Sequence, residues 1–119
     1  MSKSGLQTLP KVRRSTKEEE STKDERIYLL AEFTILPEFL EEVKAILKEA
    51  LIPTLHEPGC EALYETGRQE DPHKLVSFEV FSTAEAHQVH LEQDYTKRIF
   101  ASLDGKLSGT PNLTRLSAL

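Results

Sequence analysis

His90 and Glu79 are the residues whose types and settings best suit proton chemistry. An imidazole changes charge near neutral pH, so His90 can take a proton from a phenol. It closes the run Ala84-Glu85-Ala86-His87-Gln88-Val89-His90, on the inner side of an expected short helix. The plainer reading is a histidine packed and hydrogen-bonded where helix meets sheet. Glu79 lies mid-strand between Phe78 and Val80. A carboxylate there must face a polar pocket, a partner or water. It can raise the basicity of a nearby histidine or bind a substrate hydroxyl; the alternative is a structural hydrogen bond to a helix end or across a dimer. Phe81 shares the face of Glu79 by alternation. Tyr64 and Tyr95 can close the same pocket and orient a ring through their hydroxyls, although ordinary core packing is the plainer reading of all three aromatics.

Other reactive types are less pointed. His87 stands three residues before His90, but two imidazoles need a third convergent ligand to hold a metal. A solvent-facing His87 is expected. Cys60 has no basic neighbour in sequence to lower its pKa, so it reads as a small buried residue at a turn. There is no glycine-rich phosphate loop, nucleophile elbow or dinucleotide fingerprint.

The 119 residues leave room for one domain. Residues 1–24 carry six basic and four acidic side chains, and residues 25–119 carry nine against sixteen. An acidic body of this kind argues against nucleic-acid binding. No apolar run approaches the roughly 20 residues that span a bilayer, so no membrane partner is expected. The N-terminus lacks the apolar core of a secretory signal. With a single cysteine, a cytoplasmic location is the expectation. Residues 1–24 are poor in apolar side chains and are expected to be a disordered polar tail. Its basic stretch Lys11–Thr16 reads as part of a solvated tail rather than as a kinase site or a basic arm. The folded domain is expected over 25–119.

Within that domain, Ile27, Leu29, Ala31, Phe33 and Ile35 alternate as on a strand. Pro37 suits a first helical position. Phe39, Leu40, Val43, Ile46, Leu47, Ala50 and Leu51 then repeat at helical spacing. Pro53 weakens that helix and Pro58 ends it; Gly59 is expected to turn the chain with a positive φ. Residues 61–67 and 74–81 form a hairpin around Gly67–His73. Ser82-Thr83-Ala84-Glu85 reads as a capping box with Ser82 as the cap. A third helix is expected from Asp94 to Leu107 and a last strand over 112–118.

The order β-α-β-β-α-(α)-β is that of an α+β, ferredoxin-like split β-α-β fold, an antiparallel sheet with helices on one face. The other face keeps apolar side chains, which predicts association. Two such sheets packed face to face make a homodimer.

Several local runs resemble the antibiotic biosynthesis monooxygenase family. Glu57-Pro58-Gly59-Cys60 is similar to its turn after the first helix. Phe78-Glu79-Val80-Phe81-Ser82, followed by Ala84, Ala86 and His90, resembles its strand-to-helix signature. Leu107-Ser108-Gly109-Thr110-Pro111 resembles its turn before the last strand. The resemblance spans residues 25 to about 119. It implies a dimeric α+β barrel with a pocket between sheet and helices. The family includes cofactor-independent monooxygenases acting on quinols or phenols, haem-degrading members, an isomerase of a phosphorylated sugar and members without known activity. Fold alone therefore does not fix the reaction. The chain has no Trp, and its only Asn is Asn112; haem degradation relies on both types in the pocket and is disfavoured.

The resemblance thus implies a cofactor-independent monooxygenase acting on a small aromatic, quinol-like substrate with O₂, with no flavin or metal. His90 would accept the proton and Glu79 would assist it, with Tyr64, Phe81 and Tyr95 binding the substrate. Two other readings stay open: an isomerase using the same pocket, and a non-catalytic dimeric binding or stress-response module.

Overall fold

The computed structural model describes residues 24–119. The expected polar tail lies, apart from Asp24, outside the described residues. The elements are β1 (Ile27–Thr34), a single 3-10 turn (Pro37–Phe39), α1 (Leu40–Leu55), β2 (Cys60–Gly67), β3 (Lys74–Phe81), α2 (Ala84–Leu91), α3 (Asp94–Leu103) and β4 (Asn112–Leu116).

The strands form one sheet in the order β2-β3-β1-β4, with every pair antiparallel. This is the ferredoxin-like α+β arrangement expected from the sequence. The register places Ile27, Leu29, Ala31 and Phe33 opposite Phe81, Glu79, Ser77 and Leu75, so these eight side chains share one face. All three helices cover that face. Ala31, Phe33, Ile35, Val43, Leu47, Leu75 and Leu103 form the buried core, with Phe39, Leu40, Ile99 and Leu107 packed against it. Burying one large apolar side chain of this kind contributes about 1.5–3 kcal/mol.

The opposite face carries Tyr28 and Leu30 from β1, Val76, Phe78 and Val80 from β3, Ala62 and Tyr64 from β2, and Leu116 from β4. It is apolar around Phe78 and Val80, as the alternation of β3 predicts, and polar toward its other end, where Glu32, Thr66 and Asn112 stand. Tyr64 is 62% exposed there.

Helix α1 continues through Pro53 to Leu55, and the Thr54 hydroxyl donates to Ala50 O at 2.7 Å within its last turn. Local details depart from the sequence reading at four points. Gly59 does not have a positive φ; among the described residues only Gly105 and Gly109 do. Gly59 is required instead by close approach: a Cβ on it would stand 2.3 Å from the Cβ of Ala86. The cap of α2 is Thr83, whose hydroxyl accepts from Ala86 N at 3.0 Å. Ser82 does not cap because its own N–H still donates to Gly59 O at 2.8 Å, holding it to the sheet edge. Helix α3 ends at Leu103 rather than Leu107, since Gly105 turns the chain at φ 78°. Leu107 then forms a β-bridge with Ile35. The last strand stops at Leu116 rather than residue 118.

Candidate active site

The covered face of β3 alternates Leu75, Ser77, Glu79 and Phe81, so two polar side chains are carried under the helices by strand geometry alone. Strand β2 adds Leu63 opposite Glu79 and Glu65 opposite Ser77. From above, α1 presents Leu47, Ala50 and Thr54, α2 presents His90, and α3 presents Thr96, Ile99 and Phe100. Together they enclose a cavity of about 50 Å³. Its wall is mixed: apolar side chains surround Glu65, Glu79, Ser77, Thr96 and His90.

His90 is held from behind. Its Nδ1–H donates to Glu57 Oε2 at 2.9 Å, and both side chains are about nine-tenths buried. The same oxygen accepts the Tyr95 hydroxyl. Thr96 Oγ1 lies 3.5 Å from His90 Nδ1. Because an ionised carboxylate only accepts, Glu57 fixes the proton on Nδ1 and leaves the lone pair on Nε2. Nε2 makes no hydrogen bond among the described residues. Phe81, fully buried, lies under the imidazole with ring centroids 4.9 Å apart. Burial and the neighbouring Glu57 push the Tyr95 hydroxyl well above its ordinary pKa, so it remains a donor.

The two cavity carboxyls are also perturbed. Burial pushes Glu65 up, against the Ser77 hydroxyl that donates to it and against His90 when that ring is protonated. Burial likewise raises Glu79; His90 opposes this, while Glu65 and Glu57 add to it. Cys60 is raised by burial and then by Glu57, so its thiol stays protonated.

The structure therefore brings His90, Glu79, Phe81 and Tyr95 together. It does not bring Tyr64 with them. A register shift between Cys60 and Ala62 switches the facing of β2, since one extra residue turns all later side chains over. Tyr64 consequently stands on the uncovered face beside Phe78. His87 is not solvent-facing as expected. It is half-buried with its ring centroid 5.2 Å from that of Phe81, and burial, then His90 when protonated and the charge of Arg115, lower its pKa. The His87 and His90 rings are 6.5 Å apart, and among the described residues no third ligand converges with them.

Sequence reasoning missed the partner of His90. The residue bonded to the imidazole is Glu57, from the α1–β2 turn, and not Glu79. Glu65, Ser77 and Thr96 were missed as well. The usable signal for Glu65 was its parity with Leu63 on a half-buried strand. For Glu57 the signal was an acidic residue directly before Pro-Gly, in a turn forced against α2 by Gly59.

A four-stranded antiparallel sheet roofed by helices over a His–Glu pocket defines the class as ferredoxin-like α+β. Residues 26–102 match the family described as antibiotic biosynthesis monooxygenase, and the chain belongs to that family. Membership carries a general monooxygenase-like role. Among solved structures, a candidate antibiotic biosynthesis monooxygenase from Bacteroides thetaiotaomicron is 25% identical, with a TM-score of 0.74 over 79% of this chain and 90% of that one. A Mycobacterium tuberculosis protein is 22% identical, with a TM-score of 0.75 over 79% and 95%. A Nitrosomonas europaea protein is 13% identical, with a TM-score of 0.77 over 82% and 94%. The last two share the fold. No curated protein matches the chain. Among the described residues no helix is long and apolar enough to cross a membrane.

Proposed function

We propose that the protein is a cofactor-independent monooxygenase that oxidises an electron-rich phenol or quinol with O₂. The observation that carries this reading is the Glu57–His90 pair, which holds the imidazole by Nδ1 at the wall of the cavity and leaves Nε2 without a partner among the described residues. His90 takes the phenolic proton. The resulting anion gives one electron to O₂, and the two radicals join at a ring carbon as a peroxide. Loss of water leaves one oxygen atom on the ring. For a quinol the balance is quinol plus O₂ giving hydroxyquinone plus water, so the substrate is the only reductant. The protein contributes orientation, a dry setting and a proton acceptor.

The cavity is about 50 Å³, a third of the roughly 150 Å³ known to admit benzene. A whole ring therefore needs one of the adjoining clefts. The α1–α3 groove of about 490 Å³ shares Ala50 and Ile99 with the cavity, and the α3–β4 groove of about 340 Å³ shares Phe33 and Phe100. The substrate enters by displacing Ile99 or Phe100 of α3, with its hydroxyl at His90.

The working unit in this reading is a homodimer joined through the apolar sheet face of Tyr28, Tyr64, Phe78 and Leu116. An apolar face of this extent favours burial against a second copy. The location is cytoplasmic, which suits a domain whose one cysteine is a protonated thiol.

The test is incubation of metal-free protein with a quinol panel under ¹⁸O₂. One labelled oxygen in the product, with one O₂ consumed per product, supports the proposal. Turnover that proceeds equally under nitrogen overturns it in favour of an isomerase.

A further inference from the structure

We propose that Glu79 and Glu65 form an acid pair that keeps one proton inside the cavity and delivers it to the oxygen that leaves as water. Glu79 is the catalytic residue of the pair, facing the reacting atoms, and Glu65 is its positioning partner. This rests on the monooxygenase reading above.

The geometry comes from the sheet. Glu79 pairs with Leu63 and Ser77 with Glu65 across β3 and β2, so the two glutamates are diagonal neighbours on one face. Diagonal positions lie about 7–8 Å apart at the backbone, within reach of long side chains. Both line the cavity that His90 lines. Their surroundings differ. Glu65 is anchored, accepting the Ser77 hydroxyl. Glu79 has no hydrogen-bond partner among the described residues, and its register neighbours on either side are Leu29 and Leu63. Two carboxyls in one desolvated space resist ionising together, and Glu65 adds to the rise of Glu79. The Ser77 hydroxyl favours the anion of Glu65, so the proton stays on Glu79, which has no such donor among the described residues.

The charges around the pair agree. His90 from α2, when protonated, is the one group of opposite sign that lowers both carboxyls, and Glu57 from the α1–β2 turn further raises Glu79. Cys60 at the start of β2 is a neutral thiol in this range. Lys44 and Lys48 of α1 stand in the cleft behind Glu65; Lys44 is turned to Glu41 at 3.7 Å. Arg68 at the end of β2 is engaged by Glu32 at 2.8 Å.

The pair fills a gap in the reaction. His90 first returns the phenolic proton to the peroxide anion, giving a hydroperoxide. In the last step, neutral again, it takes the proton from the peroxide-bearing carbon, a carbonyl forms there, and the O–O bond breaks. The departing oxygen needs a proton to leave as water, and His90 is the base in that step and cannot supply it. Glu79 supplies it. The proton that His90 has gained then returns to the pair, so atoms and charge balance over one turnover.

The experiment has two arms on the full chain. In the first, glutamate carboxyl carbons of ¹³C-labelled protein are titrated by NMR without substrate. The pair is expected to titrate in two steps, the second above the ordinary Glu range, and Glu65→Gln should leave Glu79 a single step at lower pH. In the second, pH profiles of O₂-coupled turnover are compared. The alkaline limb of kcat should move to lower pH in Glu65→Gln. Glu79→Gln should lose about 100-fold in kcat, within the usual range for a lost acid or base, with a peroxide intermediate building up. If Glu79→Gln fails to fold, Glu79→Asp and the Glu65→Gln profile carry the same test. Independent titrations in the ordinary range, with O₂ uptake intact, overturn the acid pair alone. A shared proton in a protein that consumes no O₂ overturns the proposed function, and the delivery step with it.

Discussion

Glu57 and His90 are 33 residues apart in sequence, yet Glu57 Oε2 lies 2.9 Å from His90 Nδ1 in a nearly dry setting. This contact sets the tautomer of the imidazole and so decides which nitrogen can act as a base. Glu57→Gln keeps the shape of the partner but no longer demands a proton on Nδ1. The expected result is a loss of at least tenfold in kcat, less than that from removing the base itself, which is about 10²–10⁴-fold. Imidazole ¹⁵N shifts check the cause: the Nδ1–H form should dominate in the wild type and lose its dominance in the variant.

Gly59 ties this turn to α2. A Cβ at Gly59 would meet that of Ala86 at 2.3 Å. Gly59→Ala should destabilise the fold by about 1–3 kcal/mol, the usual cost of overpacking. Adding Ala86→Gly should recover part of that loss, beyond the helix-propensity cost of the new glycine. Denaturant unfolding of the two single variants and the double variant measures the coupling.

The cap of α2 separates two readings of the same four residues. Thr83→Ala should cost about 0.5–2 kcal/mol, as loss of a helix cap does. Ser82→Ala should cost less, since the Ser82 contact to Gly59 is made by its backbone. Equal costs would favour the capping box expected from the sequence.

Glu79 gives stability a defined pH dependence. Its carboxyl is raised in the folded state by burial, so folding favours the protonated form. Stability is then greatest below the ordinary Glu range and falls as pH rises through the raised folded value. Glu79→Leu removes the ionisable group between Leu29 and Leu63. It should be about 1–3 kcal/mol more stable than the wild type at pH 8, the usual penalty of an unpaired buried polar group, and gain little at pH 4. Thermal unfolding at the two pH values provides the check.

Much of this architecture was legible in the sequence, because period-two and helical patterns report which face of an element is buried. Strand β3 and the start of α1 follow directly from such runs. So does the apolar uncovered face, through Val76, Phe78 and Val80. Legibility ends where a local irregularity intervenes. The bulge near Cys60 reverses the facing of β2 and takes Tyr64 away from the pocket, and nothing in the alternation of that strand marks it. The left-handed Gly105 cuts α3 short, although its apolar spacing continues to Leu107. Glu57 was visible only as part of a turn. Its contact with His90 depends on how closely α1–β2 approaches α2, and that is a property of packing rather than of local pattern. The identities of His90, Glu79 and Phe81 as neighbours did follow from sequence, since one strand and the helix after it place them together.

The most direct test of the account is O₂ consumption by metal-free protein with a quinol panel, comparing wild type with His90→Ala while oligomeric state is followed by sedimentation. The account predicts uptake in the wild type and its loss, by about 10²–10⁴-fold, in a variant that keeps its fold and assembly. Uptake that survives His90→Ala unchanged would contradict the role of His90 as the base, and no uptake by either protein would contradict the proposed reaction.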